Sequence, residues 1–167
     1  QEFGATLGAL KAAHPKLTLW IEPGRYLVSE AGVLLAQVTQ LKGKGEVHYV
    51  GVATGMNSLI RPALYGSYQA IRPVVENRAE SIVGDVVGPI CESGDFFAKD
   101  REIARPRRGD LLAVMSAGAY GFTMASNYNS HPKPPEVLVD GERYYVVRER
   151  ESFDDLIRGE TIPSPLQ

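Results

Sequence analysis

Glycine and proline interrupt this chain so often that long helices are excluded. There are 17 glycines and 11 prolines among 167 residues, against a usual combined share of roughly 12%. Such punctuation favours short strands joined by turns. The balance of 18 Lys+Arg against 20 Asp+Glu lacks the basic excess that accompanies nucleic-acid binding. No apolar run approaches the roughly 18 residues of a membrane-spanning helix. The chain is therefore expected to bind neither nucleic acid nor membrane. A single cysteine, Cys91, excludes an internal disulfide and every multi-cysteine zinc pattern, and fits a reducing, cytoplasmic setting. The start, Gln1-Glu2-Phe3-Gly4, has no signal-peptide pattern and no initiator Met, so the sequence is expected to begin within a longer gene product.

Phe3, Leu7 and Leu10 recur at helical spacing, and Pro15 stops the pattern before Leu17-Thr18-Leu19-Trp20-Ile21. This predicts a helix over 2–13 feeding a buried strand over 17–21, as at the end of a parallel α/β unit. Such a unit needs strand neighbours, which the rest of the chain does not offer. From Val33 the pattern becomes strand-like: 33–41, a turn at Gly43-Lys44-Gly45, then 46–53, with 71–77 and 80–88 as another pair. The clearest hairpin joins 136–139 to 143–148 through Asp140-Gly141, expected as a type I′ turn. His131-Pro132-Lys133-Pro134-Pro135 reads as a rigid connector. A short helix over 152–158 is expected, with Ser152 as its N-cap.

Four segments carry residues suited to chemistry. In Glu22-Pro23-Gly24-Arg25, glycine allows close backbone approach and arginine offers a bidentate fork for phosphate or carboxylate; the bland alternative is a plain turn with a surface Glu/Arg pair. In the run from Gly55 to Gly66, Arg61 and Tyr65 stand four apart, so a helical turn puts both on one side, able to grip one carboxylate. Pro62 complicates a regular helix there, and a loop that buries Leu59, Ile60 and Leu64 is the plainer reading. Around Cys91-Glu92-Ser93-Gly94-Asp95, a thiol beside a carboxylate is either exposed enough to exchange a proton or simply a buried cysteine. In Ser116-Ala117-Gly118-Ala119-Tyr120-Gly121-Phe122, small residues either clear space beside the phenol or permit tight backbone packing. His14, His48 and His131 are scattered without metal-ligand spacing.

Taken in order, these segments resemble the C-terminal part of the diaminopimelate branch of the pyridoxal-phosphate-dependent ornithine/diaminopimelate/arginine decarboxylases. The resemblance runs through Glu22-Pro23-Gly24-Arg25, then Gly55 to Tyr65, Cys91 to Asp95, Gly118-Ala119-Tyr120, and Asn127-Tyr128-Asn129 on to Gly141. It covers nearly the whole chain. Ala53 and Ser58 stand where the family usually, and often, carries aspartate.

The resemblance implies a homodimer with shared active sites, each subunit pairing an N-terminal (β/α)8 barrel with a C-terminal β domain of sandwich or Greek-key-like barrel form. Residues 1–28 would be the last αβ unit of that barrel, and 29–167 the β domain. The chain is thus expected to be mainly β with an N-terminal α/β piece. The lysine that holds pyridoxal 5'-phosphate would lie upstream, outside this chain. Carried over by motif, Glu22 would meet the pyridine nitrogen, and Gly24, Arg25 and Tyr120 would border the cofactor. Arg25, Arg61, Tyr65, Glu92 and Tyr120 would contact the substrate, meso-2,6-diaminopimelate, on its way to L-lysine. Arg61 and Tyr65 would take the distal carboxylate, and Glu92 the distal ammonium. Cys91 would return a proton to the carbon that loses CO2, in the partner subunit's site. Two readings compete: a related decarboxylase of arginine, ornithine or carboxynorspermidine, and a non-catalytic β module that dimerises or docks another chain.

Overall fold

Alternation along the strand runs decides which side chains meet. In 34–39 every second residue turns inward, burying Ala36 and Val38 and leaving Leu35, Gln37 and Thr39 outside. The computed structural model describes residues 2–44, 47–75 and 80–166. Its strands are β1 (Leu34–Lys44), β2 (Val47–Val52), β3 (Ile71–Pro73), β4 (Ser81–Val87), β5 (Phe96–Ala104), β6 (Leu111–Val114), β7 (Glu136–Asp140) and β8 (Arg143–Arg148). Four short or medium helices accompany them: α1 (Glu2–Ala13), α2 (Gly24–Val28), α3 (Arg61–Tyr65) and α4 (Phe153–Leu156).

Six strands form one sheet in the order β3-β6-β1-β2-β4-β5, and β7 and β8 form a separate hairpin. The edge strands β3 and β5 come near each other, so the large sheet curls into a nearly closed barrel. Irregularities between Val38 and Gln40 and along Gly84–Val87 add the local bend that such curling needs. The core inside consists of Val38, Val50, Val52, Leu59, Val86, Phe97, Leu112 and Val114, together with smaller neighbours. Each large side chain removed from water there contributes about 1.5–3 kcal/mol. Among the described residues, no helix is long and apolar enough to cross a membrane.

The mainly β expectation holds, and so do the helix over 2–13 and the Ser152 cap. The cap is reciprocal: the Asp155 N–H donates to Ser152 Oγ at 3.2 Å, and the Ser152 N–H donates to Asp155 Oδ2 at 2.7 Å.

Several expectations are corrected. Residues 17–21 form no strand, and Trp20 is 89% exposed. An apolar run becomes a strand only beside another strand, and none in the described residues lies against it. The N-terminal α/β unit is therefore represented by its helix alone. The runs at 71–77 and 80–88 do not pair with each other: β3 lies on β6, while β4 lies between β2 and β5. The β2·β4 pairing is parallel, within a sheet expected to be antiparallel. Asp140 pairs with Arg143, so the hairpin loop is Gly141-Glu142. Positive φ occurs there at Gly141 alone, +60°, the pattern of a type II′ turn rather than I′. Gly45 of the first predicted turn, and 76–77 of the third predicted strand, lie outside the described residues.

Phe97 is 1% exposed at the centre of the core, whereas Val147 on β8 is 61% exposed. Phe97→Ala is expected to cost about 3–5 kcal/mol of unfolding free energy. Val147→Ala should stay within about 0.5 kcal/mol. Urea denaturation of both variants checks the contrast.

Candidate active site

Two backbone segments far apart in sequence are held together by the absence of side chains. Gly118 packs against the 28–32 turn so closely that a Cβ would run into the Val28 carbonyl oxygen and lie 2.8 Å from the Gly32 nitrogen. A Cβ on Gly32 would in turn lie 2.6 Å from the Gly118 Cα. Three hydrogen bonds close the junction: Ala117 N–H to the Gly32 carbonyl at 2.8 Å, Gly118 N–H to the Ser29 carbonyl at 3.0 Å, and Ser29 Oγ to the Ser116 carbonyl at 3.3 Å. Of the two sequence readings of the small-residue run, backbone packing is the one Gly118 adopts. Its consequence is positional. The helix bearing Arg25 and the loop bearing Tyr120 become neighbours.

Tyr120 is held with φ +60°, a left-handed conformation uncommon for a tyrosine. Such a residue costs on the order of 1–3 kcal/mol, and strain of this kind gathers at functional positions. Its ring lies 6.0 Å from the Arg25 guanidinium carbon and 5.2 Å from that of Arg61. Arg61 also stands 5.1 Å from the Tyr65 ring. Glu22, Gly24, Arg25, Ser29, Ser116 and Tyr120 line one open groove beside them. Among the described residues neither arginine has an ion-pair partner. Two guanidiniums facing two phenols without a carboxylate between them make a receptor for anions.

Arg61 and Tyr65 open and close α3, as their spacing predicts. Pro62 does not prevent this helix, because it occupies the first turn, where its missing N–H would have had no partner. The turn then stops at Gly66, in the left-handed conformation with φ 61°. The plainer reading of this segment holds only in part: Leu59 is fully buried, but Leu64 is exposed.

Cys91 and Glu92 stand apart from the groove. They are exposed on the 88–95 turn, and among the described residues no hydrogen bond or ion pair joins them to Arg25, Arg61, Tyr65 or Tyr120. Exposure of the thiol removes the buried-cysteine reading. The Glu92 carboxylate accepts from the Gly94 N–H and from the Tyr128 hydroxyl, both at 3.2 Å. Ala53 is exposed, and Ser58 is buried and accepts from Thr54 Oγ1 at 2.7 Å.

Two positions that lie within the quoted motifs had no role assigned from sequence. Tyr128, which orients Glu92, lies in a polar stretch with no spacing signal. Asp95, three residues beyond Glu92, is 5% exposed and accepts from the backbone N–H groups of Met56 and Ile90, each at 2.6 Å. Burial raises its carboxyl above the ordinary aspartate value, against the lowering effect of those two N–H donors and of His131. A carboxylate ending a strand-preceding turn, with glycines at 55 and 88, was the available signal. Glu151 binds Asn127 and the Lys133 backbone and ammonium, and the Lys133 N–H holds its carboxyl below the usual range.

Residues 25–118 match the family model described as the pyridoxal-dependent decarboxylase C-terminal sheet domain. The chain belongs to this family. It is 49% identical over 142 residues to diaminopimelate decarboxylase of Aquifex aeolicus, an alignment covering 85% of this chain and 34% of that protein. It also resembles a crystal structure from Aquifex aeolicus at a TM-score of 0.86 and 46% identity, covering 95% of this chain and 39% of that one. A third relative is the diaminopimelate decarboxylase of M. jannaschii in co-complex with L-lysine, at a TM-score of 0.82 and 39% identity, covering 86% and 33% of the two chains. The chain thus spans about a third of the length of these relatives.

Gly118→Ala is expected to cost about 1–3 kcal/mol, because backbone on both sides of the junction must move. The same variant should alter the tyrosine environment at the groove. Urea denaturation, with near-ultraviolet circular dichroism of the folded state, measures both; an unchanged stability would mean the junction is not tight.

Proposed function

We propose that this chain is the C-terminal portion of a diaminopimelate decarboxylase, the pyridoxal-phosphate enzyme that converts meso-2,6-diaminopimelate to L-lysine. The observation that carries the reading is the gathering of Arg25 and Arg61 about the Tyr120 ring, with Tyr65 against Arg61, at one edge of the groove and, among the described residues, with no ion-pair partner for either arginine. In this reading residues 1–28 complete the cofactor barrel and 29–167 form the β domain, with the lysine that anchors the cofactor upstream. The donor set suits the group: Arg25 and the Tyr120 hydroxyl are matched to its phosphate, and Glu22, in the same groove, to its ring nitrogen. Pyridoxal phosphate, when bound, supplies an electron sink for the pair left behind as CO2 departs.

The chain's own residues then bind and orient. Arg61 offers two parallel N–H groups to the distal carboxylate, and the Tyr65 hydroxyl adds a third donor. A substrate such as ornithine or arginine has no such carboxylate and leaves Arg61 desolvated without a partner, a difference that favours the dicarboxylic diamino acid. Glu92, oriented by Tyr128 and the Gly94 N–H, takes the distal ammonium. Cys91 delivers a proton to the carbon that has lost CO2. Because Cys91 and Glu92 stand outside the groove of their own chain, they serve the groove of a second subunit in a two-fold dimer.

Two experiments on a full-length enzyme carrying this chain test the reading. Arg61→Lys exchanges a planar fork for a point charge and should weaken kcat/KM for diaminopimelate by about 1.5–3 kcal/mol. An unchanged value would remove Arg61 from the substrate site. For the shared site, Cys91→Ala is co-expressed with a variant lacking the cofactor lysine. Each homodimer should be nearly inactive, while random mixing restores about a quarter of all sites, since half the dimers then hold one complete site. Full activity of Cys91→Ala alone, or no gain on mixing, refutes the assignment.

A further inference from the structure

One carboxylate touches both halves of the proposed chemistry. Asp95 Oδ1 accepts from the Met56 N–H and Asp95 Oδ2 from the Ile90 N–H, each at 2.6 Å. Met56 begins the segment that leads through buried Asn57, Ser58 and Leu59 into Arg61 and Tyr65. Ile90 immediately precedes Cys91. The backbone of Asp95 is tied to the same turn: its N–H donates to the Glu92 carbonyl at 3.0 Å, and its carbonyl accepts from the Gly88 N–H at 3.1 Å.

The carboxylate is also enclosed by glycine. A Cβ on Gly55 would lie 2.5 Å from Oδ1, and one on Gly88 would lie 2.6 Å from the same oxygen and 2.5 Å from the Gly55 Cα. Two loops that leave the adjacent, parallel strands β2 and β4 at the same end therefore close on one side chain, with room for no substituent.

We infer that Asp95 is a positioning residue that locks the substrate-gripping arm, Met56–Tyr65, to the proton-donor turn, Ile90–Glu92. This deepens the function proposed above and rests on it for the catalytic roles of the two loops. A buried carboxylate accepting two charge-assisted bonds from different segments fixes their separation more firmly than packing alone. If Cys91 serves the neighbouring site, the lock also joins the arm of one active site to the donor of the other. A shift on either loop is then transmitted to its companion, because Asp95 cannot keep both short bonds while one N–H moves away.

The test compares Asp95→Asn and Gly55→Ala in the full-length enzyme. The first leaves one backbone N–H facing an amide NH2. The second presses a methyl group on the carboxylate from the arm side. Val52→Ala, a core residue on β2 at 1% exposure, serves as a control for lost stability alone. Peptide-resolved mass spectrometry follows iodoacetamide modification of Cys91, and steady-state assays separate kcat from KM. Asp95→Asn and Gly55→Ala should each change the Cys91 alkylation rate by about threefold or more. Each should also raise KM while lowering kcat, with kcat/KM falling about tenfold to a hundredfold. Val52→Ala should lower Tm and leave the alkylation rate and KM as in the parent. If the first two variants lower only Tm, as the control does, the lock is overturned. If they alter Cys91 alkylation with kinetics unchanged, the lock stands, and it is the catalytic assignment of the loops that fails.

Discussion

The close approach of Gly118 to the 28–32 turn is the constraint on which the site depends. Arg25 lies on α2, ahead of the first sheet strand, and Tyr120 follows the last strand of that sheet, so nothing in strand pairing brings them together. The junction does so through backbone alone. Hydrogen bonds from Ala117 and Gly118 to carbonyls at Gly32 and Ser29 require the two main chains to come nearer than any Cβ permits. Side chains at either position would push the groove open by more than a hydrogen bond can span.

That geometry leaves positive charge unsatisfied. The guanidiniums of Arg25 and Arg61 flank the Tyr120 ring, and cation–π attraction of about 0.5–1 kcal/mol at exposed sites is a small return for bringing like charges near one another. The arrangement is therefore one that gains from an anion. The left-handed backbone of Tyr120 points the same way, since its cost is retained where the surrounding structure requires the side chain to stand in one place. Like charge and backbone strain both carry a cost, and the glycine junction holds the groove together against it. Together they leave the groove preorganised for an anionic ligand.

Local rules in the sequence were legible, and long-range ones were not. The Phe3–Leu7–Leu10 spacing, the Ser152 cap and the Arg61/Tyr65 offset depend on residues within a turn or two, and each appears in the structure as expected. The pairing of β3 with β6, as Ile71 with Val114, and of β2 with β4 in parallel, as His48 with Gly84, joins segments far apart in sequence, and no periodicity encodes a partner. The run at 17–21 shows the limit most plainly. Its composition is that of a buried strand, yet burial is a property of what lies beside it. The hairpin error has the opposite scale: shifting the loop by one residue, from Asp140-Gly141 to Gly141-Glu142, changed which position needed positive φ and hence the turn type.

Resemblance assigned roles to Cys91 and Glu92, whereas Asp95 in the same run received none, because its partners come from other segments. Its role exists only where Gly55 and Gly88 make room for it and where Met56 and Ile90 turn their N–H groups inward. The glycines and the aspartate are parts of one device, distributed over some forty residues, and none of them carries the device alone. This explains why the turn-rich composition was the most informative feature at the outset. In this chain glycine marks the places where two main chains, or a main chain and a carboxylate, must meet. At Gly118 such a meeting sets Arg25 beside Tyr120; at Gly55 and Gly88 it sets the arm against the donor turn. The curled sheet holds the two meetings in fixed relation, so the sheet supplies the scaffold and the glycines supply the positions at which chemistry is possible.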